Sequence, residues 1–259
     1  MGRRRNSNRR RRGSFGFLYK VLSMLAICGA IVVAMTLFFR VDTILVTGQQ
    51  RYTQQEVVDA SGIQTGDNLF LLNKYAVADS IARELPYIGI EDIWVRRKLP
   101  DTLLIEVKEC GRPMAVVQDG SAWLVSSSGR IVEQKVASAA KEYGIIDGCE
   151  LLSPSVGTQI ALATEYSGQQ ESLLALLAAL EESGQMEKVD AIHLGDLSTL
   201  TMDYVGRFTV QLSYGADYGA KLRALRQIME ESGAIQDNMT GTFDMRREDG
   251  RVNLIQNVR

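Results

Sequence analysis

The sequence predicts an α+β protein with three parts: an N-terminal transmembrane helix, a β-α-α-β-β unit, and a mixed β-region with flanking helices. Three observations carry this. A long uncharged run lies near the N-terminus. Residues 41–109 pass from period-2 alternation to 3.6-residue periodicity and back. Residues 110–259 hold short alternating runs, glycine-marked turns and two leucine-rich helical stretches.

Val21–Phe39 is nineteen consecutive uncharged residues between Lys20 and Arg40. As a helix it spans roughly 28 Å, close to the ~30 Å hydrocarbon core of a bilayer. A lone segment crossing lipid must satisfy its own backbone, so it is helical. A cleavable signal has a shorter apolar core and a small-residue cleavage site. Phe38-Phe39-Arg40 is a poor cleavage context, and the bulk of Ile27 disfavours lipoprotein processing at Cys28. A retained anchor over residues 21–40 is the expectation. Ala26, Ala30 and Ala34 recur every four residues in it, giving a small-residue face on which another helix can pack.

Residues 1–20 carry seven arginines and Lys20, with no acid before Asp42. That asymmetry predicts a cytoplasmic head and an external bulk. The Gly, Ser, Asn and Arg composition predicts disorder for residues 1–14. The head cations suit topology and attraction to anionic lipid, with nucleic-acid binding by the arm as the sharper alternative. The net charge of −2 hides an acidic ectodomain: beyond Arg40, 20 cations face 31 acids. Such a field disfavours nucleic acid as a partner of the ectodomain. Cys28 lies in the span and only Cys110 and Cys149 lie outside it, so this is no cysteine-stapled scaffold. Whether those two pair stays open.

Val41–Thr47 reads as a strand ended by Gly48, with Ile44 and Val46 on one face. Thr53-Gln54-Gln55-Glu56 is a capping box, and Gly62 suits a left-handed helix stop. A second helix starts near Asn73, buries Ala78, Ile81, Ala82 and Leu85 as one stripe, and ends before Pro86. Ile93 and Val95 alternate on one strand; Leu103, Ile105 and Val107 alternate on the next. Two one-sided helices must then cover one face of a three-stranded sheet.

Taken together, the span, Val46-x-Gly48, the Tyr52 turn, Gly62…Gly66 and the block Val95-Arg96-Arg97-x-x-Pro100-x-x-Leu103-x-Ile105-x-Val107-x-Glu109 resemble a POTRA domain. One such domain directly after one span is similar to the FtsQ/DivIB cell-division proteins. Cys110-Gly111-Arg112-Pro113 is about one residue longer than the family pattern, which predicts a bulge at the junction. Arg96, Arg97 and Lys98 form a basic strip. It is either a partner contact or a solvated edge whose ion pairs are worth ~0–1 kcal/mol each.

In residues 110–259, Met114–Gln118, Ala122–Val125 and Ile131–Glu133 read as strands, with turns at Asp119-Gly120 and Ser128-Gly129. Val136–Tyr143 reads as a connection and Ile145-Ile146 as a short strand. Gln169–Glu182 is a leucine-rich helix. Val189–Leu194, Leu200–Val205 and Phe208–Ser213 form a meander, with its second turn at Gly206-Arg207. Asp217 opens a second helix carrying Leu222, Leu225, Ile228 and Met229, closed by Ser232-Gly233. Thr242–Arg246 and Val252–Ile255 are the last strands, with Asp249-Gly250 between them.

The residues carry little chemistry. His193 is the one histidine, on a predicted strand. There is no H-E-x-x-H, G-x-S-x-G, Walker A or C-x-x-C pattern. Glu181-Glu182 and Glu230-Glu231 sit at helix ends as solvated faces. No cofactor or metal is expected, and no enzymatic activity. The resemblance implies a bitopic scaffold that binds small single-span division proteins (FtsB/DivIC and FtsL type) and links to septal synthase components. A POTRA-containing envelope transport or chaperone factor is the alternative. It is disfavoured because one repeat stands here without a series of barrel strands.

The candidate docking site is the last strand. Val252 and Leu254 face one way, Asn253 and Ile255 the other, and no charge or proline occurs from Val252 to Val258. Edges are normally blunted by such residues, and an unblunted edge suits strand addition. The resemblance points to the same region, just after the D-x-R strand Asp244-Met245-Arg246, and implies Arg246 as a partner for an acidic residue. The alternative is that Val252–Ile255 only completes the sheet.

Overall fold

The computed structural model describes residues 15–231, 239–247 and 252–256. The head to residue 14 lies outside this range, as do Ser232-Gly233, Asp249-Gly250, Arg251 and Asn257. Helix α1 covers Phe15–Phe38, 24 residues. It starts earlier than the uncharged run because Phe17, Leu18 and Tyr19 continue the apolar surface, no proline interrupts it, and Lys20 can extend its amine towards water. Ala26, Ala30 and Ala34 lie exposed along it. Phe39, expected to close the span, is instead outside the helix. It is half-buried, and its ring packs edge-on against Phe70 with centroids 4.9 Å apart.

The first sheet has β1 (Thr43–Thr47), β2 (Ile88–Lys98) and β3 (Thr102–Glu109), with α2 (Gln54–Ser61) and α3 (Lys74–Glu84) on one face. Its order is β1-β3-β2, with β1 parallel and β2 antiparallel to β3. The Thr53 capping box forms with both reciprocal bonds, and Gly62 takes φ 67°. Asn73 caps α3, accepting from Tyr75 and Ala76. Ile81, Leu103 and Ile105 are fully buried; Ile44 is only half-buried at the sheet's margin. Gly48 has φ +91°, and a Cβ there would lie 1.9 Å from the Val107 carbonyl oxygen, so the turn admits no side chain. On β2, opposite the end of β3, the register shifts between Ile88 and Ile93.

The second sheet has nine strands. In chain order these are β4 (Met114–Gln118), β5 (Ser121–Val125), β6 (Ile131–Val136), β7 (Gly144–Asp147), β8 (Val189–His193), β9 (Leu200–Tyr204), β10 (Phe208–Leu212), β11 (Gly241–Asp244) and β12 (Asn253–Gln256). Their spatial order is β12-β11-β10-β9-β8-β7-β4-β5-β6. Helix α4 (Ser167–Glu182) connects the parallel pair β7 and β8, and α5 (Tyr218–Glu231) the parallel pair β10 and β11. Both helices pack on one face: Leu173, Leu177, Leu180 and Leu225 share a core with Ile192, Met202, Val210 and Phe243. Val205 and Gly206 take the left-handed conformation at the β9–β10 turn, one residue before the expected pair. Val136–Tyr143 is not a bare connection, because Ala137–Glu142 forms a 3-10 helix on the opposite sheet face.

The two sheets are joined by a third cluster. Tyr87, just before β2, is buried among Ala115, Ala122, Leu124, Val132 and Ala140. Its hydroxyl donates to Glu133 at 2.5 Å, and the Arg130 guanidinium donates to the Ala82 carbonyl of α3.

Candidate partner-docking edge

Strand β12 is one margin of the nine-stranded sheet; β11 is its neighbour, and no described strand lies on its other side. The register pairs Thr242 with Ile255, Phe243 with Leu254, and Asp244 with Asn253. Phe243 is fully buried, so alternation sends Leu254 and Val252 towards the core and Asn253 and Ile255 away from it. Ile255 is 59% exposed. Gly241 permits the pairing, since a Cβ there would lie 2.6 Å from the Ile255 carbonyl oxygen. In an antiparallel edge strand, half of the backbone N–H and C=O groups point away from the neighbour.

The segment 213–217 after β10, the first turns of α5 and Met245-Arg246 after β11 line a groove of about 420 Å³. Ala216, Ala220, Ala224 and Met245 give it an apolar lining, with Lys221 and Arg246 at its sides. Arg246 has a partner within its own chain. Its Nε donates to Asp244 Oδ1 at 2.9 Å and its Nη2 to Oδ2 at 2.8 Å. This bidentate pair holds the Asp244 carboxyl down at about 2. The guanidinium is therefore already engaged by its own chain, although its side chain stays partly exposed.

The basic strip does not act as one surface. Arg96 pairs with Glu106 at 3.1 Å on the solvent side, and Lys98 is exposed. Arg97 turns inward. Its Nη2 donates to the carbonyls of Leu72 at 2.9 Å and Phe70 at 3.4 Å. The signal was the parity of β2: Ile93, Val95 and Arg97 share one face. Glu109, the last residue of the resemblance block, also has a structural task. Its carboxylate accepts from the backbone N–H groups of Gln50, Arg51 and Tyr52 at 3.0, 2.7 and 3.1 Å, holding the β1–α2 turn. Sequence reasoning missed Glu109, Tyr87 and Arg130 because their partners are 46 to 59 residues away.

His193 lies between two carboxylates, with Nδ1 2.8 Å from Asp147 and Nε2 3.2 Å from Asp203. Cys110 and Cys149 are separate free thiols, pushed by burial to about 12 and about 11. Neither is poised as a nucleophile at neutral pH.

Residues 39–109 match the family described as POTRA domain, FtsQ-type. The chain is 28% identical over 207 residues to the cell division protein FtsQ of Geobacter sp. (strain M21), covering 77% of this chain and 70% of that protein. It is 25% identical over 206 residues to FtsQ of Geotalea daltonii, with the same two coverages. Cell division protein DivIB of Clostridium botulinum is 26% identical over 128 residues, 49% of each chain. The chain thus carries an FtsQ-type POTRA domain between an apolar N-terminal helix and a large β-sheet, and over most of its length it is similar to the FtsQ and DivIB cell-division proteins.

Proposed function

We propose that this protein is a non-enzymatic, bitopic scaffold of the bacterial division machinery, with its head in the cytoplasm and residues 41–259 outside the membrane. It binds small single-span division proteins of the FtsB/DivIC and FtsL type and links them to septal cell-wall synthesis. The observation that carries this reading is β12, a sheet margin without a covering strand among the described residues, with Ile255 exposed on the face turned away from the core. A partner segment adding one strand would take its affinity from backbone bonds and its specificity from contacts to Ile255. The eight head cations, against no acid before the span, support the orientation. A fluorescent fusion of the full chain tests the role in dividing cells. A band at mid-cell is expected, and a uniform membrane signal would refute it.

A further inference from the structure

The anchor is not joined to the POTRA domain by a free linker. Asn68 Nδ2 donates to the carbonyl of Met35 at 3.1 Å, a residue inside the last turn of α1. The Leu69 N–H donates to the Phe39 carbonyl at 2.9 Å, and the Val41 N–H to Asp67 at 2.8 Å. Arg40 forms an isolated bridge with Asn68. The loop after α2 is thus held level with the end of the helix. If α1 spans the bilayer, that level is the boundary between hydrocarbon and headgroups, a layer about 5–8 Å thick on each side.

The side chains at this level are unusual for a water-facing loop. Leu71 is 81% exposed, and Phe70 beside it 39%. At the β2–β3 tip, Leu99 is 56% exposed. Strand direction puts that tip at the same end, because β3 runs parallel to β1, which leaves the span directly. The Asp42 N–H donates to the Asp101 carbonyl at 2.8 Å, closing the tip onto the start of β1. Arg97 ties the two loops together through the Phe70 and Leu72 carbonyls. Single exposed leucines are ordinary. Three apolar side chains gathered on two loops at the mouth of a span are not a scatter. Arg40, bridged to Asn68, and Lys74 and Lys98, a few residues from these side chains in the chain, are all exposed, and the acids Asp42, Asp67 and Asp101 lie at the same end. Of these, Asp67 accepts from the Gln64 N–H and Asp101 from the Thr102 hydroxyl.

We propose that this end of the POTRA domain is a lipid-contact surface, with Phe70, Leu71 and Leu99 seated in the headgroup layer of the leaflet from which α1 emerges. Long cationic side chains at such a boundary reach phosphates while their stems stay in the apolar layer. The contact would hold the domain upright at one fixed height over the membrane. It rests on α1 crossing a bilayer, part of the reading above.

The test uses the full chain in phosphatidylcholine/phosphatidylglycerol vesicles, with Cys28, Cys110 and Cys149 replaced by alanine. Nitroxide labels are placed singly at Leu71→Cys, Leu99→Cys, Val32→Cys in α1 and Leu152→Cys in the second unit. Collision with oxygen and with a water-soluble nickel chelate reports depth. At Leu71 and Leu99, nickel access is expected to be at least threefold below that at Leu152, with oxygen access between the Leu152 and Val32 values. Adding Leu99→Asp should bring the Leu71 label back towards the Leu152 value. Nickel access at Leu71 and Leu99 equal to Leu152, with Val32 deep in lipid, overturns the lipid contact and leaves the span standing. A water-exposed Val32 label overturns both.

Discussion

The Tyr87 hydroxyl donates to the Glu133 carboxylate at 2.5 Å across the seam between the two sheets. Around it, Arg51 stacks its guanidinium 4.0 Å from the Tyr87 ring centre, and Tyr52 meets that ring edge-on at 6.4 Å. Burial first, and then the bond to Glu133, raise the Tyr87 hydroxyl well above the ordinary tyrosine range. It therefore stays protonated as the donor. The POTRA domain and the second sheet meet through a small core of their own.

Removing the Tyr87 ring should uncouple the two sheets. Truncating a buried aromatic costs about 3–5 kcal/mol. Tyr87→Ala in the ectodomain is expected to split one calorimetric transition into two, with Tyr87→Phe lowering stability by only ~1 kcal/mol and keeping one transition. A single unchanged transition in Tyr87→Ala would show that the seam does not couple the units.

Within the first sheet, Ile105 is completely buried between Val46 and Val95 on the two neighbouring strands. Ile105→Ala should cost about 2–5 kcal/mol. In a thermal melt that appears as a drop of several degrees in the transition containing the POTRA domain. The half-buried Ile44 should tolerate the same truncation with a smaller drop.

Local rules carried much of the fold. Thr53 and Glu56, Gly62, the Ala78–Leu85 stripe and the alternation at Leu103, Ile105 and Val107 each act within a few residues, and each was readable. The alternation of β12, which is the last strand of its sheet among the described residues, was readable too, because alternation is a local property. Long-range pairing was not. Nothing near Arg97 announces the Leu72 carbonyl, and nothing near Tyr87 announces Glu133. Arg246 was read for its charge, whereas Asp244 two residues before it already accepts from its Nε and Nη2. Phe39, one residue past the end of α1, shows the same limit. Its hydrophobicity suits lipid equally well, but Phe70 gives it a protein partner.

His193 should make the stability of the second unit depend on pH. Partial burial lowers its affinity for a proton, but bonds and attraction to Asp147 and Asp203 outweigh this and raise the pKa above 6.5. A group with a raised folded-state pKa contributes fully below the unfolded value and loses that contribution as pH rises through the folded value. The ectodomain should therefore melt higher at pH 6 than at pH 8 by an increment that His193→Gln removes. The groups are partly exposed, so the increment should be small and should shrink in salt. An equal pH dependence in the variant would assign the effect to other groups.

The last prediction concerns β12. If a partner adds a strand there, the affinity depends on backbone groups and on Ile255, not on the residues that hold β12 to its own sheet. Ile255 is 59% exposed and pairs with Thr242, whereas Leu254 packs on the core. Ile255→Glu should leave the ectodomain's circular dichroism and melting temperature unchanged and reduce capture of the small single-span division partners at least tenfold, about 1.4 kcal/mol. Asn253→Pro, which removes one backbone donor, should also weaken binding, through the strand and not the side chain. Arg246→Ala separates two roles. Asp244 and Arg246 brace the end of β11, so its loss should lower stability and affinity together if the arginine is structural. It should lower affinity alone if its remaining donors reach an acidic group on the partner. Folded Ile255→Glu and Asn253→Pro proteins that still bind with full affinity would place the docking surface elsewhere on the ectodomain.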